Sequence, residues 1–246
     1  MRCLTPVVLV FSAALAQAGE VQVAVAANFV RPFATIGERF TAATGHTLKV
    51  SSGATGKFYS QIAHGAPFEV LLAADDETPR KLVAEGHGIA GTTFTYARGR
   101  LALWSAQPGL VDSQGAVLAS GAVRHVAIAN PKVAPYGAAA MEVIRARGLA
   151  ESLAPKLVTG ESIAQTFQFV ATGNAEIGFV ALSQVAVPGQ PTRGSWWLVP
   201  AAMHEEIRQD AVLLRAGEKN PAARALLDFL KSEHATAVIR EFGYGP

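Results

Sequence analysis

Four short turns carry the residues best placed for chemistry in this 246-residue chain. Each follows an apolar, strand-like run and opens a helix-like segment. They are Ala26-Ala27-Asn28-Phe29, Ser51-Ser52-Gly53-Ala54-Thr55-Gly56, Asn130-Pro131-Lys132-Val133-Ala134-Pro135-Tyr136-Gly137 and Thr159-Gly160-Glu161-Ser162-Ile163. Asn28 and Thr55 stand 27 positions apart, and so do Tyr136 and Ile163. That equal spacing points to two similarly built halves. The start of a helix leaves backbone N–H groups without partners and carries the positive end of the helix dipole. It therefore binds anions with no formal cation. In α/β sheets, ligands sit beyond the carboxyl ends of the strands, where such turns lie. Asn28, Thr55 and Tyr136 add side-chain donors, and Ile163 offers only its backbone N–H. The small residues Ala27, Gly53, Ala54, Gly56 and Gly137 let a ligand approach the backbone closely. Taken singly, Asn, Ser and Thr before a helix read as caps and Gly reads as a turn residue. The joint pattern is what suggests a site.

The chemistry of the turns narrows the ligand. A cation needs clustered carboxylates or histidines, and among the four turns only Glu161 is acidic. A monohydrogen phosphate carries a proton that needs an acceptor, and these turns offer mainly donors. A fully ionised oxyanion such as molybdate, tungstate or sulfate fits better. Arg31 and Lys57 lie near the turns and read as solvated helix residues.

The elements that position these turns alternate. Strands are expected over 21–26, 47–50, 68–73, 101–104, 123–128, 156–158, 177–181, 196–199 and 211–214. Helices are expected over 31–43, 57–64, 78–85, 138–147, 164–171 and 221–241, the last with a break near Glu233. Phe33, Ile36 and Phe40 share one face of the first helix. Phe68 to Ala73 is nearly all apolar, as in a strand buried on both faces. Strands alternating with helices indicate parallel α/β sheets. No low-complexity linker divides the halves, so the chain is expected to cross between them more than once.

Half of the residues are hydrophobic, 16% are charged and the net charge is +2. That is globular chemistry, with no basic stripe for nucleic acid. Met1-Arg2, the apolar run Leu4 to Leu15 and Ala16-Gln17-Ala18 have the layout of a secretory signal peptide, with a mature chain expected from Gly19. The single cysteine, Cys3, falls in that segment, so no disulfide or thiol site is expected in the mature protein. A periplasmic location follows as the expectation.

Several of these segments together resemble the periplasmic molybdate-binding proteins of ABC importers, which have the type II substrate-binding fold. They are Val23-Ala24-Val25-Ala26-Ala27-Asn28-Phe29, Ser51 to Ile62, Gly65-Ala66-Pro67-Phe68-Glu69-Val70 running into Ala73-Ala74-Asp75, Asn130 to Gly137, and Gly178-Phe179-Val180-Ala181-Leu182-Ser183-Gln184. The resemblance implies two lobes, each a mainly parallel sheet flanked by helices, with the ligand in the cleft between them. It places a signal peptide at 1–18, one lobe at 19–99 and 204–246, and the other at 100–203. By position, Asn28 matches a first-turn donor and Thr55 the second-turn hydroxyl, whereas Tyr136 and Ile163 match residues that give backbone N–H groups. Ala27 stands where a hydroxyl residue occurs in relatives, and Thr55 where serine is common. Ala181 stands where some members have a tyrosine donor; the Tyr136 hydroxyl is the expected substitute. The resemblance further implies no cofactor, molybdenum bound only within its oxyanion, a monomer, and an ABC permease with its ATPase as partners.

Two other readings stay open at this level. One is a binding protein for sulfate or another small anion, since cavity size decides that choice. The other is an exported hydrolase. None of His46, His64, His87, His125, His204 and His234 lies in a Gly-x-Ser-x-Gly or His-Glu-x-x-His setting. Asp75-Asp76 reads as the cap of a following helix rather than as an acid–base pair.

Overall fold

The computed structural model describes residues 18–191 and 193–245. The expected signal peptide, Ala18 apart, lies outside the described residues. Among the described residues, ten strands form two five-stranded sheets. One contains β1 (Glu20–Ala26), β2 (Thr47–Gly53), β3 (Val70–Leu72), β4 (Phe94–Gly99) and β10 (Ile207–Leu213), in the order β2-β1-β3-β10-β4. The other contains β5 (Leu101–Ser105), β6 (Val126–Ala129), β7 (Leu157–Gly160), β8 (Ile177–Ala181) and β9 (Ser195–Leu198), in the order β7-β6-β8-β5-β9. The two orders are alike. In each sheet three neighbouring strands run parallel and two further pairings are antiparallel. The chain crosses between the sheets twice, through Arg100 and through residues 199–206.

Alternate residues of each strand feed two different cores, which is why the strands read as nearly continuous apolar runs. Val23, Val25, Val70 and Leu72 pack on one face of the first sheet, and Ala24, Leu71 and Val212 on the other. Leu101, Leu103, Val126 and Ile128 face one core of the second sheet, and Ala102, Trp104 and Ala127 the opposite one. Helices cover both faces. They are α1 (Val30–Thr44), α2 (Thr55–Ala63), α3 (Glu77–Ala84), α4 (Pro135–Ala146), α5 (Ala150–Leu153), α6 (Ile163–Ala171), α7 (Leu182–Val185), α8 (Pro221–Leu230) and α9 (Glu233–Glu241). Helix α1 buries Phe33, Ile36 and Phe40, each contributing roughly 1.5–3 kcal/mol by leaving water. It stops at Gly45, whose φ of 73° lets its N–H turn back to the Thr41 carbonyl.

The structure departs from the sequence expectations in places that bear on the site. Helices α2 and α4 start earlier than expected, because Gly56 and Gly137 lie inside their first turns and do not precede them. A Cβ at Gly137 would collide with the Ala129 carbonyl oxygen, and one at Gly56 would come within 2.9 Å of Val133 Cα. These glycines therefore allow close packing and do not break the helices. Strand β4 was not expected. It pairs antiparallel with β10 across a bulge at Gln209/Asp210, and its buried Tyr96 and Ala97 are adjacent, which destroys the period-two pattern.

Candidate anion-binding site

Four of the longer helices begin at the carboxyl ends of parallel strands: α1 after β1, α2 after β2, α4 after β6 and α6 after β7. Strands β1 and β2 pair up to Ala26 and Gly53, so Asn28 and Thr55 both lie two residues beyond the end of the ladder. The Phe29 N–H closes the first turn onto the Ala26 carbonyl at 2.8 Å. Asn28, Thr55, Tyr136 and Ile163 all line one cavity, together with Ala26, Ala27, Gly53, Ala54, Ala74, Ala134 and Pro135. All four are buried. The cavity is small, about 10 Å³, close to the room taken by the centre of one water-sized sphere. That suits a compact ion, and it is far below the several hundred Å³ of sites for larger ligands. No charged side chain lines it.

The helix starts at this cavity lack the usual side-chain caps. Helix α2 is preceded by Ala54, α4 by Ala134 and α1 by Phe29, none with a side-chain cap bond. Only α6 is capped, by Ser162 accepting from the Gln165 N–H. By contrast, α8 and α9, which begin elsewhere, are capped by Asn220 and Ser232. Among the described residues nothing accepts the backbone N–H of Asn28, Thr55, Tyr136 or Ile163. Pro135 has no N–H, so Tyr136 carries the first donor of α4. The Thr55 hydroxyl accepts from the Ala74 N–H at 2.9 Å, which leaves its own proton to donate. The cavity thus gathers four free backbone donors and one hydroxyl on uncharged walls.

Two sequence expectations about side chains change. The Asn28 amide does not serve the cavity: Nδ2 donates to Gln209 Oε1 at 2.9 Å and to the Tyr244 hydroxyl at 3.1 Å. Its two protons are both committed, so the donor left to Asn28 is its backbone N–H. Nor is Asn28 the cap of α1, a position held by Phe29. The Tyr136 hydroxyl likewise turns away. It accepts from Gln209 Nε2 at 3.0 Å and lies against Gly99, where a Cβ would collide with it. It therefore does not replace the donor missing at Ala181, which is absent from the cavity wall. Ala27 contributes only a wall, because its N–H bonds the Gly53 carbonyl at 2.9 Å.

The charged residues near the turns are also occupied. Lys57 pairs with Glu161 across the cleft at 2.7 Å, which removes the one turn carboxylate from the cavity. Arg31 donates to the Gln184 carbonyl at 2.9 Å and lies over the Phe167 ring. Asp75 accepts from the Thr78 N–H at 2.8 Å in the first turn of α3, as a capping residue does. Burial raises its pKa, against the lowering effect of the Thr78 bonds. The lobes are also joined by the Gly56 N–H on the Val133 carbonyl at 3.0 Å and by Ser183 Oγ on the Asn28 carbonyl at 2.9 Å.

Sequence reasoning missed Gln209, Tyr96, Ser183 and Tyr244, which surround Asn28 and Tyr136 from behind. Tyr96 bonds Gln209 Oε1 at 3.1 Å and the Ala73 carbonyl at 2.8 Å. Burial, first of all, holds the Tyr96, Tyr136 and Tyr244 hydroxyls well above the ordinary tyrosine pKa, so they remain neutral. The polar run Arg208-Gln209-Asp210 near the start of a strand that ends in apolar residues was the available signal.

The chain is similar to known proteins over nearly its whole length. The family model for bacterial extracellular solute-binding proteins matches residues 21–245. A molybdate-binding protein of Azotobacter vinelandii is 61% identical over 233 residues, covering 95% of this chain and 92% of the relative. One of Rhodobacter capsulatus is 54% identical, covering 98% and 94%. A solved periplasmic molybdate-binding protein of Azotobacter vinelandii superposes with a TM-score of 0.90 at 39% identity, covering 92% of this chain and 99% of that one. With a two-lobed type II fold and a family match over nearly its whole length, this chain belongs to the bacterial extracellular solute-binding proteins.

Proposed function

We propose that the chain binds molybdate, and tungstate alongside it, and delivers the ion to an ABC importer made of a permease and its ATPase. The supporting observation is the small cavity lined by four residues at helix starts with free backbone N–H groups and by the Thr55 hydroxyl, with no charged side chain in its wall. Asn28, Tyr136 and Ile163 give backbone N–H groups in this reading, and Thr55 gives its N–H and its hydroxyl. Molybdenum enters only as the centre of the oxyanion, as cargo, and no cofactor takes part. Helix starts favour negative charge, and each hydrogen bond to a charged group contributes about 1.5–3 kcal/mol. A protonated phosphate would leave its O–H facing donors, whereas a fully ionised oxyanion satisfies all of them. The names of the 61% and 54% identical relatives support molybdate over sulfate. The protein acts as a monomer in the periplasm, after removal of residues 1–18.

Calorimetric titration of the mature protein with molybdate, tungstate, sulfate and phosphate tests this. Molybdate and tungstate are expected to bind far more tightly than sulfate, with phosphate barely binding. Phosphate competing at equal concentration overturns the reading.

A further inference from the structure

The Asn28 residue is held at two atoms, its carbonyl oxygen and Nδ2, by groups remote in sequence. Its carbonyl receives the Tyr244 hydroxyl at 2.9 Å and Ser183 Oγ at 2.9 Å. Its Nδ2 reaches Gln209 Oε1 and, again, the Tyr244 hydroxyl. The Tyr244 and Ser183 hydroxyls are themselves 3.1 Å apart. Tyr244 is fixed in turn: its ring meets Phe29 edge-on at 5.5 Å, and the next N–H, of Gly245, bonds the Arg98 carbonyl of β4 at 2.9 Å. Gly243, at a φ of 81°, brings the chain against Leu182 of α7. The C-terminal segment therefore touches the edge of one lobe, the first helix turn of the other, and the residue that carries one of the four cavity donors. Among the described residues, no other one bonds both the carbonyl and the side chain of Asn28.

Pinning both the carbonyl and the side chain of a turn residue leaves its backbone little freedom, so the direction of its N–H is set as well. We infer that Tyr244 is a positioning residue for the anion site, holding the Asn28 N–H on the cavity through the Asn28 carbonyl and side-chain amide. Ser183 comes from the opposite lobe, so the hold on Asn28 is complete only when the lobes are together. Preorganised donors cost nothing to orient when the ion arrives; a loosened Asn28 N–H would have to be oriented at the ion's expense. The inference rests on the oxyanion reading above.

The test compares Tyr244→Phe with Phe242→Leu, a change to a buried core residue of the same segment whose side chain has no hydrogen-bonding group. Each mature variant is titrated with molybdate, followed by stopped-flow dissociation and by thermal unfolding without ligand. In the molybdate-bound state the backbone amide resonance of Asn28 is recorded by NMR. Tyr244→Phe is expected to weaken molybdate binding about tenfold, the effect of one or two lost hydrogen bonds, chiefly through faster dissociation. The Asn28 amide proton should move upfield. Phe242→Leu is expected to lower the unfolding temperature and keep wild-type affinity and Asn28 shift. Wild-type affinity in Tyr244→Phe overturns the inference, as does a loss of affinity that merely tracks unfolding temperature in both variants. Wild-type protein that binds none of the oxyanions overturns the functional reading itself, and this role with it.

Discussion

Restoring a missing helix cap at the cavity should stabilise the protein and abolish binding. Ala54 precedes α2 with the extended φ and ψ (−77° and 141°) of an N-cap residue, carries no capping group and lines the cavity. Ala54→Asp places a carboxylate there. Without ligand, an Asp in place of Ala at an N-cap contributes about 1 kcal/mol, and the other helix starts add to its welcome. In a domain of this size the gain is about 2–4 °C in unfolding temperature. With ligand, the carboxylate stands roughly 4 Å from a dianion. The repulsion is about 8 kcal/mol at an effective dielectric of about 20. Protonation offers an escape. Raising an aspartate from a pKa of about 3.9 to neutrality costs about 1.4 kcal/mol per unit, or roughly 4 kcal/mol in all. That is the smaller figure, so it sets the loss, at about three decades of affinity. Ala54→Asn adds a cap of the same shape without the charge and should lose far less. Calorimetry with molybdate, beside melting curves for all three proteins, reads both effects. A folded Ala54→Asp protein that binds molybdate within tenfold of wild type would refute the placement of the ion among these helix starts.

Asn28→Asp should lower stability as well as affinity. It removes two donated hydrogen bonds, to Gln209 and Tyr244, in a buried site, at about 1–3 kcal/mol for each group left unsatisfied; an unchanged melting curve would contradict the network. Trp104 stacks on Phe167 at 4.8 Å, with Arg31 of the opposite lobe above that ring. Intrinsic fluorescence should therefore shift when molybdate closes the lobes, and a constant spectrum under proven binding would place the movement elsewhere. The buried Tyr96, Tyr136 and Tyr244 have pKa values raised above those of the unfolded chain. The folded state thus holds protons that the unfolded state releases, so stability is intact below about pH 10 and falls above it. Each of the three contributes a slope of about 1.4 kcal/mol per pH unit there. Urea titrations at pH 9, 10 and 11 should show the loss, and Tyr96→Phe should flatten it.

Much of the fold could be read from the sequence because strand and helix signals were strong where packing was two-sided. Val21 to Ala26 and Ile177 to Ala181 read as strands and are. The four turns were legible for the same reason, since each sits between such a run and a helix. What could not be read was which atom of each turn residue is free. Asn28 and Tyr136 looked like side-chain donors until their partners, Gln209 and Tyr244, arrived from 73 to 216 positions away. The more telling sign was alanine at positions 54 and 134, where a cap is usual; Ala54 read only as a small residue that a ligand can approach. Strand β4 escaped because its bulge pairing sets two buried residues side by side.

The uncharged wall also governs how the cargo is let go. A lysine or arginine at the cavity would go on attracting an anion across roughly 8 Å of saline, long after contact had been broken. The field of a helix end fades within about one turn, and a hydrogen bond fails within about half an ångström of stretch. Two of the four donor turns belong to each sheet. Parting the sheets by a few ångströms would remove half of the grip at once, and water would take up the rest. Such a holder has a steep, short-ranged hold: firm when shut, and with almost no memory of its passenger once ajar.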